Sequence, residues 1–475
     1  MASVIKFGTD GWRAIIAEDY TFANVRTCAQ ALADCQRAEG KAEAGLVVAY
    51  DTRFASERFA AAVAEVLAAN GIHTYLSDRP QPTPVASYSI LSRKAGGAVV
   101  ITASHNPAAY NGFKVKPEYA GSASPEVIAE LERRIEITEA TPNGVKRMPL
   151  AEAKTQGLVE EFDATADYVQ HVSGLVDLQG LRDAGITVVA DAMYGVGSGY
   201  FERLLGGGKT RVVGIRQERN PAFPGINPEP ITPNLAALFA AVKEHSAVAG
   251  LATDGDADRI GLVDENGVFI NQHQVFGLLL LYLMEIRGLR GDSVRSVTMT
   301  SMGDRFAADR GFKVIETPVG FKYIGPRMTA ENAILGGEES GGYGFSGHIP
   351  ERDALVSGLF LLDLAVKLGK TMSQTMTYLQ ERMGAWYYNR LDISFPPAER
   401  DAIQARVAAA QPAALDGSPL ASINTIDGYK FHAEDGSWLL IRFSGTEPLL
   451  RIYTETTSPE RVHRMLAEGR ALAGA

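Results

Sequence analysis

Ser104 lies in Thr102-Ala103-Ser104-His105-Asn106-Pro107, directly behind the apolar run Ala98-Val99-Val100-Ile101 and ten residues ahead of Lys114. A short β-branched run ending in small residues predicts a buried parallel strand that empties into a loop. Open α/β sheets carry their chemistry at that end of their strands. The serine is therefore expected as an exposed hydroxyl on a rigid mount, with a histidine beside it and a lysine within reach.

A second group, Thr253-Asp254-Gly255-Asp256-Ala257-Asp258-Arg259, follows the strand-like run Ala247 to Ala252. Carboxylates on alternate residues of a glycine turn can converge on one point, and their repulsion is costly unless a cation sits there. Hard oxygen ligands select Mg²⁺ or Ca²⁺. Asp254, Asp256, Asp258 and Glu265 also match four ligand positions of an EF-hand loop. The position that loop reserves for glycine is Arg259, and the flanks are strand-like, so an EF-hand is rejected.

Two further segments fit ligands. In Gly336-Gly337-Glu338-Glu339-Ser340-Gly341-Gly342, glycines let backbone approach a ligand, and the acids and hydroxyl between them suit vicinal sugar hydroxyls. In Arg442-Phe443-Ser444-Gly445-Thr446-Glu447-Pro448, with Arg451 beyond, arginine offers bidentate phosphate contacts, and hydroxyls with N–H groups around Gly445 complete an anion nest. Alone, the first also fits an ordinary glycine turn and the second a capped turn with a surface arginine. Gly195-Val196-Gly197-Ser198-Gly199-Tyr200 departs from a dinucleotide fingerprint at its last residue and reads as a tight strand-to-helix turn. A mounted serine, a cation loop, a sugar-diol loop and a phosphate nest together point to phosphoryl transfer on a sugar phosphate. No Walker A motif or kinase signature indicates a nucleotide donor, so the serine itself can carry the phosphoryl group.

Strand-like runs alternate with helical patterns almost throughout, which means α/β layers with parallel sheets. Gly45–Asp51 precedes a helical stretch from Ser56 to Asn70, and Ile186–Asp191 precedes a glycine turn and a helix through Phe201 to Leu205. Thr232-Pro233 reads as the N-cap and first turn of a helix to about Lys243, and strands are expected at Ser296–Thr300 and Val314-Ile315. From about Met383 the pattern changes to a smaller α+β unit containing Asn389–Ile393 and Trp438–Arg442. At 475 residues about three or four domains are expected. Motif positions and polar stretches place them at 1–155, 156–266, 267–380 and 381–475. The repeated strand-then-loop pattern hints at related units without a repeat in residue identity.

Composition is that of a soluble globular protein, with 46% hydrophobic and 21% charged residues. A net charge of −10 argues against nucleic acid or an anionic membrane as the main partner, while a local basic pocket can still take a small anion. Cys28 and Cys35 share a helical spacing with Phe22, Val25 and Leu32, which predicts core-facing thiols and a reducing, cytoplasmic setting. The functional look of Gly8-Thr9-Asp10-Gly11-Trp12-Arg13 leaves no room for a signal peptide. Val275 to Met284, about half a membrane span, reads as a buried helix. Oligomeric state is not legible.

In the order and spacing of these motifs the chain resembles the α-D-phosphohexomutase superfamily of phosphoglucomutases, phosphomannomutases and phosphoglucosamine mutases. The resemblance spans nearly the whole chain. It implies three related α/β mixed-sheet domains plus a C-terminal α+β phosphate-binding domain around a central cleft. It implies a phosphoserine at Ser104, with Mg²⁺ held by Asp254, Asp256, Asp258 and the seryl phosphate, and Arg259 supporting that group. Glu338 and Ser340 would bind sugar hydroxyls, and Arg442, Ser444, Gly445 and Thr446 the non-reacting phosphate. Lys114, Arg13 and His105 are the candidates for proton transfer. Lys114 comes first because a lysine pKa can fall in a basic pocket; His105 reads first as support for the serine loop.

Thr317-Pro318-Val319-Gly320-Phe321-Lys322 resembles the glucose-type loop of phosphoglucomutases, which makes Lys322 a substrate contact. The pair Glu338-Glu339 and the glycine at 342, where glucosamine and mannose types carry histidine, point the same way. The expectation is interconversion of glucose 1-phosphate and glucose 6-phosphate, with glucose 1,6-bisphosphate as intermediate and activator. The rivals are a phosphomannomutase or dual enzyme, a bisphosphate synthase on the same scaffold, and a non-catalytic sugar-phosphate binder.

Overall fold

A computed structural model describes residues 3–444 and 449–474. It contains four sheets in chain order. The first runs Trp12–Ile15, Tyr110–Pro117, Gly97–Ile101, Leu46–Tyr50, Thr74–Ser77, Val159–Phe162 across its width. Its central strands are parallel, and Tyr110–Pro117 returns antiparallel to Gly97–Ile101. The second sheet orders Phe269–Ile270, Ile260–Asp264, Ala249–Thr253, Thr187–Asp191, Arg211–Ile215. The third orders Val314–Thr317, Ser293–Ser296, Leu335–Gly337, Tyr343–Phe345.

These three sheets share one device. In each, a parallel strand turns back into an antiparallel partner: Gly97–Ile101 into Tyr110–Pro117, Ala249–Thr253 into Ile260–Asp264, Leu335–Gly337 into Tyr343–Phe345. The serine, aspartate and Glu338–Gly342 segments are the three turns, so the repeat absent from residue identity is present in topology. The fourth sheet has six strands ordered Tyr387–Ser394, Leu449–Thr456, Trp438–Phe443, Tyr429–Ala433, Ser418–Asn424, Ala414–Leu415, all antiparallel.

Gly97–Ile101 and Leu46–Tyr50 are buried throughout, as strands covered on both faces must be. The helix Phe22–Ala38 is capped by the Thr21 side chain and buries Val25, Cys28, Leu32 and Cys35. Burial pushes the Cys35 thiol up to about 11 and raises Cys28 further, so both are inert apolar fillers. One apolar cluster runs continuously from Val47 and Val85 through Tyr168 and Leu251 to the helix Ala354–Leu368, joining the first three units. The fourth keeps its own core around Phe431, Leu439, Ile452 and Met465. It meets the third over a small patch of Val297, Trp438, Leu440 and Tyr453. Among the described residues no helix is long and apolar enough to cross a membrane.

Several local expectations are corrected. Thr232-Pro233 lies in a turn and the helix starts later, at Ala236–Glu244. The strand expected at Ser296–Thr300 is Ser293–Ser296, because Ser296 accepts a turn bond from Met299 and the chain leaves the sheet there. The run Val275 to Met284 is buried but divides into Gln272–Leu281 and a π-helical turn, Tyr282–Ile286. Strands also cross the expected borders. Val159–Phe162 completes the first sheet beyond residue 155, and Phe269–Ile270 the second beyond residue 266. Pairing to a sheet edge is a long-range choice that a polar stretch does not reveal.

Candidate active site

Ser104 follows its strand in a left-handed backbone conformation, φ 52°, which L-residues adopt at a cost of about 1–3 kcal/mol. Arg53 holds the loop against that cost. Its Nη2 donates to the carbonyls of Ser104 (2.7 Å) and Asn106, and its Nη1 to those of Pro107 (2.8 Å) and Tyr110 (3.0 Å). Its Nε faces Asp51 at 3.2 Å. The serine is not exposed: at 1% accessibility it is sealed by the aspartate loop of the second unit. Its Oγ donates to Asp254 Oδ2 at 2.7 Å and lies 3.3 Å from His105 Nδ1. The two loops touch because residue 255 is glycine; a Cβ there would stand 2.3 Å from the Ser104 carbonyl.

Asp254, Asp256 and Asp258 are fully buried and each offers a carboxylate oxygen within 4.8 Å of the others. Asp254 Oδ1 accepts from the backbone N–H groups of Asp258 and Arg259, which turns Oδ2 toward the serine. Asp256 Oδ2 accepts from Thr83 Oγ1 at 2.6 Å and Lys114 Nζ at 2.7 Å. Asp256 Oδ1 and Asp258 Oδ1 are buried with no hydrogen-bond partner among the described residues. Two orphaned anionic oxygens beside a third that faces a hydroxyl are a donor set for a hard divalent cation. Burial pushes the Asp254 carboxyl up, and the charges of Asp256 and Asp258 add to it. At Asp256 burial acts the same way, but Lys114 and Thr83 outweigh it and hold the group well below the usual carboxylate range.

The surroundings of Lys114 differ from expectation. Its ammonium lies 2.8 Å from Asp10, 2.7 Å from Asp256 and 3.2 Å from Asp258. Burial would lower its pKa, but these three carboxylates raise it above the ordinary lysine value. The pocket around Lys114 is acidic, not basic, so the lysine stays charged. Burial, then the guanidiniums of Arg259 and Arg13, hold His105 well below the usual histidine value. Arg13 donates to Asn106 Oδ1 at 2.6 Å.

Of the layer of buried charge behind these groups, only Asp10, within Gly8–Arg13, lies in a segment singled out in sequence. Asp10 pairs with Lys114, Lys116 and Arg352. Arg352 also reaches Asp258 at 2.8 Å, Glu351 at 3.2 Å and Glu338 at 3.4 Å, tying the aspartate loop to the sugar loop. The available signal was the charged run Glu351-Arg352-Asp353 set against the apolar helix Ala354–Leu368. Arg352 occupies the space beside residue 342: a Cβ there would stand 2.2 Å from its Cδ.

A cleft of about 670 Å³ runs from His105 and Arg259 past Glu338 and Ser340 to Tyr388, Arg390 and Arg451. Volumes of this order hold small-molecule substrates. Arg259 Nε, Ser340 Oγ and Arg451 Nε are buried without hydrogen-bond partners among the described residues, leaving donors at both ends and in the middle. Glu338 lines the cleft, and burial raises its carboxyl against the pull of Arg352. Glu339 also lines the cleft but turns to the fourth unit, where its Oε1 accepts from Tyr388 Oη at 2.7 Å and Arg390 Nη1 at 3.2 Å. Lys322 is half-buried on the first turn of the helix Phe321–Glu331, its ammonium 5.4 Å from the Tyr323 ring, and is not among the cleft-lining residues. Arg442 is partly buried and pairs with Asp427. Ser444 is buried beside it, while Gly445 and Thr446 lie outside the described residues.

Four family profiles match the chain in succession: phosphoglucomutase/phosphomannomutase domain I over residues 4–141, domain II over 166–267, domain III over 271–383 and the C-terminal domain over 395–472. A phosphoglucomutase/phosphomannomutase of Thermococcus kodakarensis is 31% identical over 98% of this chain and 97% of its own length. The chain belongs to the phosphoglucomutase/phosphomannomutase family. It is accordingly a phosphohexomutase, an isomerase that transfers a phosphoryl group within a molecule, and its fold is that of the α-D-phosphohexomutase superfamily. A phosphoglucosamine mutase of Leifsonia xyli is 31% identical, with 97% of each chain covered. The crystal structure of a protein assigned as a phosphomannomutase from Thermus thermophilus superposes over 100% of both chains with a TM-score of 0.85 at 34% identity. The names of these relatives of the phosphohexomutase differ in the sugar.

Proposed function

We propose that this phosphohexomutase interconverts glucose 1-phosphate and glucose 6-phosphate through a phosphoserine at Ser104 and glucose 1,6-bisphosphate. The observation that carries the reading is the Ser104 hydroxyl bonded to Asp254 of a buried carboxylate triad, directly behind a cleft lined at one end by His105 and Arg259 and at the other by Arg390 and Arg451. One hexose phosphate spans such a cleft in either of two orientations.

In the forward direction a sugar hydroxyl attacks the Ser104 phosphoryl group, a new P–O bond forms, and the P–Oγ bond breaks. The bisphosphate then turns in the cleft, its other phosphoryl group returns to Oγ, and a hydroxyl is left where that group was. Mg²⁺ on Asp254, Asp256 and Asp258 would neutralise charge on the transferring oxygens. Lys114, held charged by its acids, and Arg259 add positive charge on the same side. Arg13 braces the loop through Asn106. His105, neutral and 3.3 Å from Oγ, takes the proton from the attacking hydroxyl and returns it to the leaving oxygen. Glu338 and Ser340 hold sugar hydroxyls, and Arg442, Ser444, Gly445 and Thr446 the distal phosphate. Lys322 joins them only if its side chain swings from Tyr323 toward the cleft.

Glucose is favoured by the packing at residue 342. Arg352 packs where a Cβ at residue 342 would stand, which suits the glycine expected of the glucose-type loop there. The acidic net charge and the two buried free thiols fit a small-molecule enzyme of the cytoplasm. Intact-mass measurement should find one phosphate that Ser104→Ala abolishes, and kcat/KM should rank glucose 1-phosphate above the mannose and glucosamine phosphates. A protein that never carries phosphate and is inactive with added glucose 1,6-bisphosphate overturns the mechanism; a mannose preference overturns the sugar.

A further inference from the structure

The distal-phosphate arginine and the loop Thr317–Lys322 belong to different units, yet one side chain joins them. Asp427 sits in the turn between the strands Ser418–Asn424 and Tyr429–Ala433. Its Oδ1 accepts from Arg442 Nε at 2.8 Å. Its Oδ2 accepts from the backbone N–H of Val319 at 2.9 Å. Val319 in turn lines the cleft.

The same hairpin is anchored to the third unit by other bonds. Asn424 Nδ2 donates to Glu316 Oε2 at 2.8 Å, and the fully buried Lys430 donates to Glu316 Oε1 and to the Val297 carbonyl at 2.8 Å. Docking of the fourth unit therefore has its own anchors, and Asp427 is a partly exposed bridge at their edge. Its bond to Arg442 uses Nε, at the base of the guanidinium, and not the Nη groups at the tip that form a phosphate fork. The Oδ2 bond makes the same carboxylate answer to the backbone of the sugar loop.

We propose that Asp427 is a positioning residue that fixes the guanidinium of Arg442 relative to the Thr317–Lys322 loop, and so sets the spacing between distal-phosphate grip and sugar contacts across the junction of the third and fourth units. The inference rests on the reading of Arg442 as a phosphate ligand. Without Asp427 the Arg442 side chain samples rotamers that do not face the phosphate, and ground-state binding weakens while the chemistry at Ser104, on another unit, is untouched.

A double-mutant cycle on the full-length phosphorylated enzyme tests this, with glucose 1-phosphate as substrate and glucose 1,6-bisphosphate present. Asp427→Ala should raise KM about tenfold with kcat nearly unchanged, as expected for a lost charge-assisted bond. Asp427→Asn, which keeps an acceptor for Val319, should recover part of the loss. In an Arg442→Ala background Asp427→Ala should add little. Equal penalties in both backgrounds, or an unchanged KM in Asp427→Ala, overturn the proposal. The same cycle read on equilibrium binding of glucose 1-phosphate reports on Asp427 independently of turnover; absence of wild-type turnover with every hexose 1-phosphate would instead count against the functional reading.

Discussion

Arg53→Lys isolates the clamp on the serine loop. One guanidinium donates to the carbonyls of Ser104, Asn106, Pro107 and Tyr110 and faces Asp51. Lysine keeps the positive charge near Asp51 but concentrates it at a point and loses the planar fork. It reaches one pair of carbonyls and abandons the other, a net loss of about 1.5–3 kcal/mol for the abandoned pair once water replaces part of what those carbonyls lose. That loss is comparable to the strain of about 1–3 kcal/mol held in the left-handed Ser104 backbone. The loop then relaxes, and the fraction of molecules with Oγ on Asp254 falls about 10- to 100-fold, equivalent to about 1.4–2.8 kcal/mol. Because Glu338 and Ser340 lie on another unit, KM for the hexose phosphate should stay near the wild-type value. Steady-state kinetics and single-turnover phosphorylation of Ser104 by glucose 1,6-bisphosphate, followed by intact mass, read the two consequences separately. A variant whose kcat and phosphorylation rate both match wild type would refute the idea that Arg53 holds the serine in place.

Asp254→Asn removes one of three converging charges and the anionic partner of Ser104. It should weaken Mg²⁺ binding by calorimetry and lower kcat about 10²- to 10³-fold, whereas chelation of the wild type should be reversed by added Mg²⁺. If His105 carries the proton, its base form is lost only as pH falls below the ordinary value of 6.5, toward its depressed pKa. The kcat profile of the wild type should therefore drop on the acid side, and His105→Gln should be slower and flat there; an identical acid limb in both proteins rules the histidine out. At Glu316 burial would raise the carboxyl, but Lys430 and Arg295 hold it at about 2, below its ordinary 4.5. Its contribution to docking is full above about 4.5 and is lost as pH falls toward 2. Hydrogen exchange at the junction of the third and fourth units should rise over that window in the wild type, and Glu316→Gln should show high exchange already at neutral pH.

Short-range patterns carried the chemistry of this enzyme into its sequence. The strand before Ser104, the alternation of Asp254, Asp256 and Asp258 around a glycine, and the Glu338 to Gly342 turn are each set within a few residues, because a turn's reach is a few residues. Cys28 and Cys35 were legible as core for the same reason: helical period and burial are local. The environment of each group was not. Ser104 reads as exposed until the loop around Gly255 closes over it, and Lys114 reads as a lysine in a basic pocket until Asp10, Asp256 and Asp258 arrive from elsewhere in the chain. Glu339 belongs to the sugar loop in sequence and to Tyr388 and Arg390 in space. Arg53 and Asp427 carry no motif at all and Arg352 only a short charged run, since their roles consist of contacts made between distant segments. Electrostatic interactions act through distance in space and burial, and those are quantities that only the packing of the four units supplies.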